Sequence, residues 1–223
     1  LEVAAHITAT MMRRVEDATA LRVVLQDARF NALAAGPGLG LDRARDLLPE
    51  FLRTHRPTVL DADALTAYAD DPDALIKGLH PDCILTPHSG EFARLFPAIA
   101  ETLNRAPTSG PAYSKVDATR AAAASAGCMI LLKGPDTVIA APDGRCVVHS
   151  AYYDRAAPWL ATAGAGDVLA GFVTGLLARG FDPLAAAETA AWLHVECARV
   201  FGPGLVAEDL PEILPQVFRD LGL

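Results

Sequence analysis

Short aliphatic and β-branched runs alternate along the chain with Ala- and Leu-rich stretches at helical spacing. This is the order expected of a parallel sheet covered by helices. The runs Phe30–Ala35, Thr58–Leu60, Cys83–Thr86, Met129–Leu132, Thr137–Ala140 and Cys146–His149 predict strands, and Arg43–His55, Gly90–Phe96 and Tyr113–Ala126 predict helices between them. After the last strand the pattern is all-helical, over Val168–Arg179, Pro183–Phe201 and Leu210–Leu221. Pro142-Asp143-Gly144-Arg145 separates two β-rich runs and reads as a hairpin turn, so one edge of the sheet is expected to be antiparallel. Ala106–Pro111 and Ser150–Pro158 are the most loop-like segments. No repeat, low-complexity tract or linker divides the sequence, and residues 1–223 are read as one domain.

Glycine and polar residues gather where the expected strands end, which is where open α/β sheets bind ligands. Gly36-Pro37-Gly38-Leu39-Gly40 leads from the first strand into a helix and serves equally as a tight β-to-α turn. Asp61 and Asp63, two residues apart after the second strand, suit a magnesium ion held through water or a substrate hydroxyl; Asp63 also suits the cap of a short helix. Thr86-Pro87-His88-Ser89-Gly90-Glu91 places His88 at the mouth of the next helix, as a ligand contact or a satisfied structural histidine, with Glu91 as a first-turn acid favourable to the helix dipole. Lys133-Gly134 closes the strand Met129–Leu132, and Lys133 is one of three lysines in the chain, with Lys77 and Lys115. An ammonium charge beside a backbone free to approach closely suits a nucleotide phosphate or ribose, and a surface lysine before a turn is the plainer reading.

The densest signal is Ala161-Thr162-Ala163-Gly164-Ala165-Gly166-Asp167, a glycine-rich turn that delivers one aspartate to the start of a long apolar helix. Gly164 and Gly166 let successive N–H groups turn toward one anion, and the helix adds unpaired amides and its positive dipole end. A carboxylate there can take a proton from a hydroxyl about to attack a phosphate, or it can be an ordinary helix cap.

Composition narrows the partners. The chain has 223 residues, 52% of them hydrophobic, and a formal charge of -8 without a basic run. It is large enough for a sizeable core, and it lacks the clustered Lys and Arg that nucleic acid and anionic membranes reward. Cys83, Cys128, Cys146 and Cys197 are widely spaced and form no C-x-x-C pair, so they read as buried thiols in a reducing, cytoplasmic compartment. No apolar run approaches the roughly 20 residues of a membrane span, and no signal-peptide pattern opens the chain.

Five motifs in order, GPGLG, VLDADAL, LTPHSGEFARL, LLKGPDTVIAAPDGR and ATAGAGDVLAGFVTGLLARG, resemble the ribokinase-like superfamily and, within it, the ADP- or ATP-dependent NAD(P)H-hydrate dehydratases, from about Asn31 to about Arg199. The resemblance implies a three-layer α/β/α sandwich with a mostly parallel central sheet. It also implies a reaction: a phosphate from ADP or ATP, with Mg²⁺, is placed on the hydroxyl of a hydrated nicotinamide cofactor (NADHX or NADPHX), and its departure restores NADH or NADPH. By that likeness Asp167 activates or contacts the hydroxyl, Gly38 and His88 contact the hydrated cofactor, and Lys133, Gly134, Pro135, Asp136 and Thr137 with Gly164, Ala165 and Gly166 hold the nucleotide. Asp61 and Asp63 fall on the magnesium or phosphate side without ligating metal directly.

Three departures are visible. Ala165 stands where the family commonly carries threonine or serine, which leaves backbone amides to serve there, and Ala157-Pro158-Trp159 replaces an Asn- and Gly-containing stretch, so Trp159 is expected at the lip of the nucleotide site as wall or lid. The chain also opens on Leu1 without an initiating methionine, while relatives carry a further strand–glycine-loop–helix unit of roughly fifty residues before the Leu1–Arg14 segment, and many an upstream epimerase domain. The sequence is therefore expected to be a fragment, with an exposed sheet edge that self-association would cover. A superfamily kinase acting on a sugar or vitamin precursor, and a catalytically impaired nucleotide-binding module, stand as the alternative functions.

Overall fold

The computed structural model describes residues 10–223; residues 1–9, the first part of the Leu1–Arg14 segment, lie outside them. Six strands form one sheet in sequential order: β1 Leu33–Ala35, β2 Thr58–Leu60, β3 Cys83–Leu85, β4 Met129–Leu132, β5 Asp136–Ala140 and β6 Cys146–Ser150. The first four run parallel, in register from Leu33↔Thr58 through Thr58↔Cys83 to Ile84↔Met129. β5 and β6 add an antiparallel hairpin, closed by the expected turn, in which Gly144 takes a φ of 90° and its amide donates to the Ala141 carbonyl.

Because side chains alternate across a strand, each parallel strand serves two cores. Leu60, Leu85, Ile130 and Leu132 point to the side of the crossover helices Leu41–Arg53, Ser89–Leu95 and Lys115–Ala126, where they pack with Leu48, Phe92 and Ala122. Val59, Ile84, Met129, Leu131 and Ile139 point the other way, onto helices Ala165–Ala178 and Pro183–Phe201. Sequential strands joined by crossovers of one hand leave their helices on one face, so the second face is open to the chain's C-terminal helices. The stripe Ala186, Ala187, Ala190 and Ala191 lets the last long helix lie close against the sheet. The result is the three-layer α/β/α sandwich expected from the sequence.

Differences from the expected elements are local. Phe30–Ala32 do not pair: Phe30 packs on Leu21, Leu33 and Leu47, and Asn31 Nδ2 donates to the Ala178 carbonyl (2.9 Å) at the end of the helix Ala165–Ala178. Four short helices are additional. Asp17 and Asp71 cap Ala18–Val24 and Pro72–Ile76, and Asp63–Thr66 and Pro97–Asn104 follow the β2 end and Phe96. The expected loop Ser150–Pro158 contains a single 3₁₀ turn at Tyr153–Arg155 and meets a second at Pro158–Leu160. The four cysteines are free thiols; burial pushes Cys83 up to about 11 and Cys197 up to about 12, far from a reactive thiolate.

Candidate active site

The parallel strands deliver four loops to one edge of the sheet, and backbone hydrogen bonds lock those loops to one another beyond the strand ends. The Asp61 amide donates to the Ala35 carbonyl (3.1 Å), the Thr86 amide to Leu60 (3.0 Å) and the Lys133 amide to Pro87 (2.9 Å). Gly36, at a φ of +138°, lies so close to the next loop that a Cβ there would sit 1.7 Å from the Asp61 carbonyl oxygen. The residues singled out after each strand are thus neighbours in space for a reason that begins in the ladder.

Asp61 and Asp63 point to different tasks. Ala62 between them holds φ 46° and ψ −117°, a conformation a non-glycine residue adopts only when its surroundings impose it. Asp61 turns inward, 1% exposed, with Oδ1 2.6 Å from Lys133 Nζ and Oδ2 without a partner among the described residues. Asp63 Oδ2 instead accepts from the Gly40 amide (2.8 Å), so it fastens the GPGLG loop and does not cap its own helix. Gly38 sits at φ +64° with open space around it.

Lys133 is therefore an ion-paired cation, 18% exposed, and its ammonium rests against the start of the helix Ala165–Ala178: a Cβ on Gly166 would lie 3.2 Å from Nζ. The turn that carries it is pinned from below by Lys115, whose ammonium donates to the carbonyls of Lys133 (3.2 Å) and Asp136. Gly134, at φ +156°, leaves room for that ammonium, and Thr137 Oγ1 donates to the Gly134 carbonyl (3.0 Å).

The glycine-rich turn before Asp167 ends at Gly164, the N-cap, in the left-handed region at φ 82°. Asp167 is the third residue of the helix, so its carboxylate is not the cap. The Ala165 amide reaches Thr162 (3.4 Å) and the Val168 amide reaches Gly164 (3.1 Å), while the amides of Gly166 and Asp167 between them meet no acceptor among the described residues. Two donors and the helix dipole thus face outward together. Burial raises the Asp167 pKa, the charges of Asp61 and Asp63 raise it further, and Lys133 pulls it back. The direction suits a base more than an inert surface carboxylate.

His88 has a definite structural role. It is the N-cap of Ser89–Leu95: its Nδ1 accepts from the Gly90 (2.9 Å) and Glu91 (3.2 Å) amides, and Glu91 Oε2 accepts from the His88 amide (2.8 Å), a reciprocal capping box. Its side chain stays 55% exposed beside the loops, with Nε2 3.6 Å from Glu91 Oε1, so the ring can meet a ligand while it caps the helix.

Beside the Lys133–Thr137 turn opens a cavity of about 490 Å³, walled by Leu169, Ala191, His149 and His194 and rimmed by residues of the 151–161 segment. Its mostly apolar wall and single polar edge suit a flat heterocycle. Trp159 is not part of that wall. It packs with the cluster of Leu193, Val195 and Leu205 behind the rim, and Ala157, Pro158 and Leu160 line the cavity in its place. The rim is tied down by Arg155, which lies 3.0 Å from Glu196 Oε2 and 5.0 Å above the Trp192 ring.

Lys115, His149 and His194 belong to the site and were not among the residues singled out in the sequence. Lys115 is a half-buried cation at the start of an alanine-rich helix, and His194 is a buried histidine that interrupts the apolar stripe of its helix, each a polar residue that needs a partner. Among the described residues, no group of three or more His, Cys, Asp or Glu is placed to hold a metal ion, and no helix is long and apolar enough to cross a membrane.

A family model described as NAD(P)H-hydrate dehydratase matches residues 2–215. The chain belongs to the NAD(P)H-hydrate dehydratase family. It is 40% identical over 201 residues to a bifunctional NAD(P)H-hydrate repair enzyme of Moorella thermoacetica, covering 87% of this chain and 36% of that protein. It is 38% identical over 194 residues to the like-named enzyme of Salinibacter ruber, covering 84% of this chain and 33% of that one. The chain thus spans about a third of the length of these curated relatives. The ADP/ATP-dependent NAD(P)H-hydrate dehydratase of Bacillus subtilis, crystallised with ATP and Mg²⁺ and soaked with CoA, superimposes with a TM-score of 0.67 at 31% identity, over 85% of this chain and 66% of that one. A hydroxyethylthiazole kinase of Pyrococcus horikoshii superimposes with a TM-score of 0.66 at 16% identity, over 92% of this chain and 77% of that one, which extends the shared fold beyond the dehydratases.

Proposed function

We propose that the protein dehydrates NADHX or NADPHX at the expense of ADP or ATP, with residues 1–223 acting as one catalytic domain. The observation that carries the reading is the start of the helix Ala165–Ala178, where a carboxylate of raised pKa stands beside two outward-facing amides at the edge of a nucleotide-sized cavity. Asp167 takes the proton from the added hydroxyl as its oxygen attacks the terminal phosphorus and the bond to the leaving nucleotide breaks. The outward-facing amides of Gly166 and Asp167, at the end of the Gly164–Gly166 turn, carry the transferring phosphate; preorganised donors of this kind contribute about 10²–10³ in rate each. Phosphate then departs with the electrons of its C–O bond, a proton leaves the neighbouring ring carbon, and the nicotinamide double bond is restored. Without the phosphate the leaving group would be hydroxide, which is poor.

Lys133, Gly134, Pro135, Asp136 and Thr137 form the nucleotide edge, and Gly38 and His88 the edge for the hydrated cofactor. Mg²⁺ shields phosphate charge in such reactions and keeps most of its waters. Asp63, half-buried with one oxygen beyond its bond to Gly40, fits a water-mediated contact to the ion, whereas Asp61 is engaged by Lys133. The Bacillus relative's crystallisation with ATP and Mg²⁺ supports this choice.

The cytoplasm is the compartment proposed, supported by four free cysteines. Self-association is supported by Phe181, in the turn before the helix Pro183–Phe201, and by Val200 and Phe201 at that helix's end, all of which stay exposed. The relatives' greater length and the word bifunctional in their names support a second domain, the epimerase, in the whole protein.

Incubation of the purified protein with NADHX and ADP or ATP tests the function. NADH absorbance should return with release of phosphate. A stable phosphorylated product from a vitamin precursor or sugar would instead mean a kinase, and nucleotide binding with no turnover on any of these substrates would mean an impaired binding module.

A further inference from the structure

We propose that His194 is a positioning residue for the Gly166 amide, acting through the peptide that joins Ala165 to Gly166. His194 comes from the neighbouring helix Pro183–Phe201 and is 7% exposed, and its Nε2 lies 2.8 Å from the Ala165 carbonyl oxygen. A carbonyl has no proton to give, so Nε2 is the donor. The Ala165 carbonyl and the Gly166 N–H belong to one planar trans unit and point in opposite directions. Holding the oxygen against His194 therefore fixes the N–H in the opposite direction, out past the N-terminal end of the helix Ala165–Ala178. A second donor on that oxygen, beside the helical one, also polarises the peptide and makes the N–H a stronger donor.

Three further observations point the same way. Ala165 has no hydroxyl, so the anion must be met by backbone amides, and their direction matters more. Phe172 meets the His194 ring edge-on at 87° with centroids 6.3 Å apart, which holds the ring plane. Burial pushes the imidazole pKa down to about 4, so it stays neutral and is a fixed donor, not a proton carrier. One face of His194 also lines the cavity, which makes it a physical link between the nucleotide slot and the phosphate-facing turn.

The inference rests on the reading that Gly166 faces the transferring phosphate, and its test separates the two. In His194→Leu the Gly166 amide ¹H–¹⁵N resonance should move in the nucleotide-free protein. The rate of NADHX dehydration should fall about tenfold to a hundredfold, below the roughly 10²–10³ of losing a donor outright, with KM for ATP changed less than about threefold. His194→Gln, which can place an N–H near the Nε2 position, should restore both resonance and rate to within about threefold of the parent. In the unsubstituted protein the ring ¹⁵N shifts should show the proton on Nε2, a readout that needs no variant to fold. A proton on Nδ1, an unmoved Gly166 resonance in His194→Leu, or equal losses in the Leu and Gln variants that track their melting temperatures would overturn the proposal. Correct amide and tautomer readings with no NADHX turnover would leave the positioning role standing and remove the dehydratase reading.

Discussion

Lys133 and Asp61 form a short ion pair beneath the strand-end loops, 2.6 Å between Nζ and Oδ1, with the aspartate 1% and the lysine 18% exposed. It joins the ends of β2 and β4 across β3, and the Asp61 Oδ2 has no partner among the described residues. Removing one member strands a buried charge, which typically costs about 3–5 kcal/mol, whereas removing both together costs far less. Lys133→Met should therefore lower stability by roughly that amount, and Asp61→Asn/Lys133→Met should recover most of it. Urea unfolding of the two single variants and the double variant measures the coupling; additive losses would show that the pair is not interacting in solution.

Asp167→Asn should reduce NADHX turnover by about 10²–10⁴, the worth of a positioned base. ATP affinity should stay within a few-fold, since in the proposed site the amides and not the carboxylate meet the phosphate. Calorimetric titration beside a rate assay decides the matter. Loss of binding with little loss of rate would reassign Asp167 as a structural residue.

The acidic limb of the rate profile should lie above the ordinary carboxylate range, because burial and then Asp61 and Asp63 raise the Asp167 pKa while Lys133 lowers it. A base works when ionised, so rate is lost as pH falls through that raised value. Asp63→Asn removes one raising charge and keeps an oxygen for the Gly40 amide, and should move the limb to lower pH. The pH dependence of kcat/KM in the parent and the variant checks the sign; a limb that stays put would separate it from Asp167.

The sheet was legible because its strands are uninterrupted apolar runs ended by glycine or polar residues, and β2 and β4 occupy the expected spans. The short helices Asp63–Thr66 and Pro72–Ile76 were not, because four or five residues carry no periodicity and tertiary contacts decide them. At the site, strand-end position brought Asp61, His88 and Lys133 into view and the glycine-rich turn brought Asp167, but not what each touches. Nothing along the chain ties Lys133 to Asp61, seventy-two residues away, or gives His88 the capping bond that a serine or aspartate usually makes. Lys115 and His194 act through backbone carbonyls of distant segments, and a carbonyl has no residue type to read.

The glycines separate two kinds of requirement. At Gly36 an alanine methyl would collide with the Asp61 carbonyl, and the backbone cannot retreat without breaking the β1–β2 ladder, so Gly36→Ala should unfold the protein or cost several kcal/mol. Gly38 also has positive φ but faces open space, so Gly38→Ala should cost only about 1 kcal/mol of backbone strain. If the Gly38 loop contacts the hydrated cofactor, the same substitution should raise KM for NADHX more than KM for ATP. Thermal melts with the two KM values distinguish these roles; equal stability losses at both positions would contradict the packing around Gly36.

Buried histidines should make the fold acid-labile before its carboxylates titrate. Burial depresses the His194 pKa to about 4 from the ordinary 6.5 of an imidazole, and burial likewise lowers His80 and His149. Below 6.5 the unfolded chain binds protons that the folded chain refuses, so stability falls as pH drops from 6.5 toward 4 and levels off only once His194 is charged in both states. His194 alone accounts for at most about 3 kcal/mol over that window. The carboxylates with lowered pKa, Asp117 and Asp143 among them, lose their contribution at more acidic pH, so the two effects separate. Melting temperature should decline between pH 6.5 and pH 4 with a shallower slope in His194→Leu, compared as slopes because the substitution also removes the bond to Ala165. An identical slope in parent and variant would mean that His194 is already protonated, or already wet, in the folded protein.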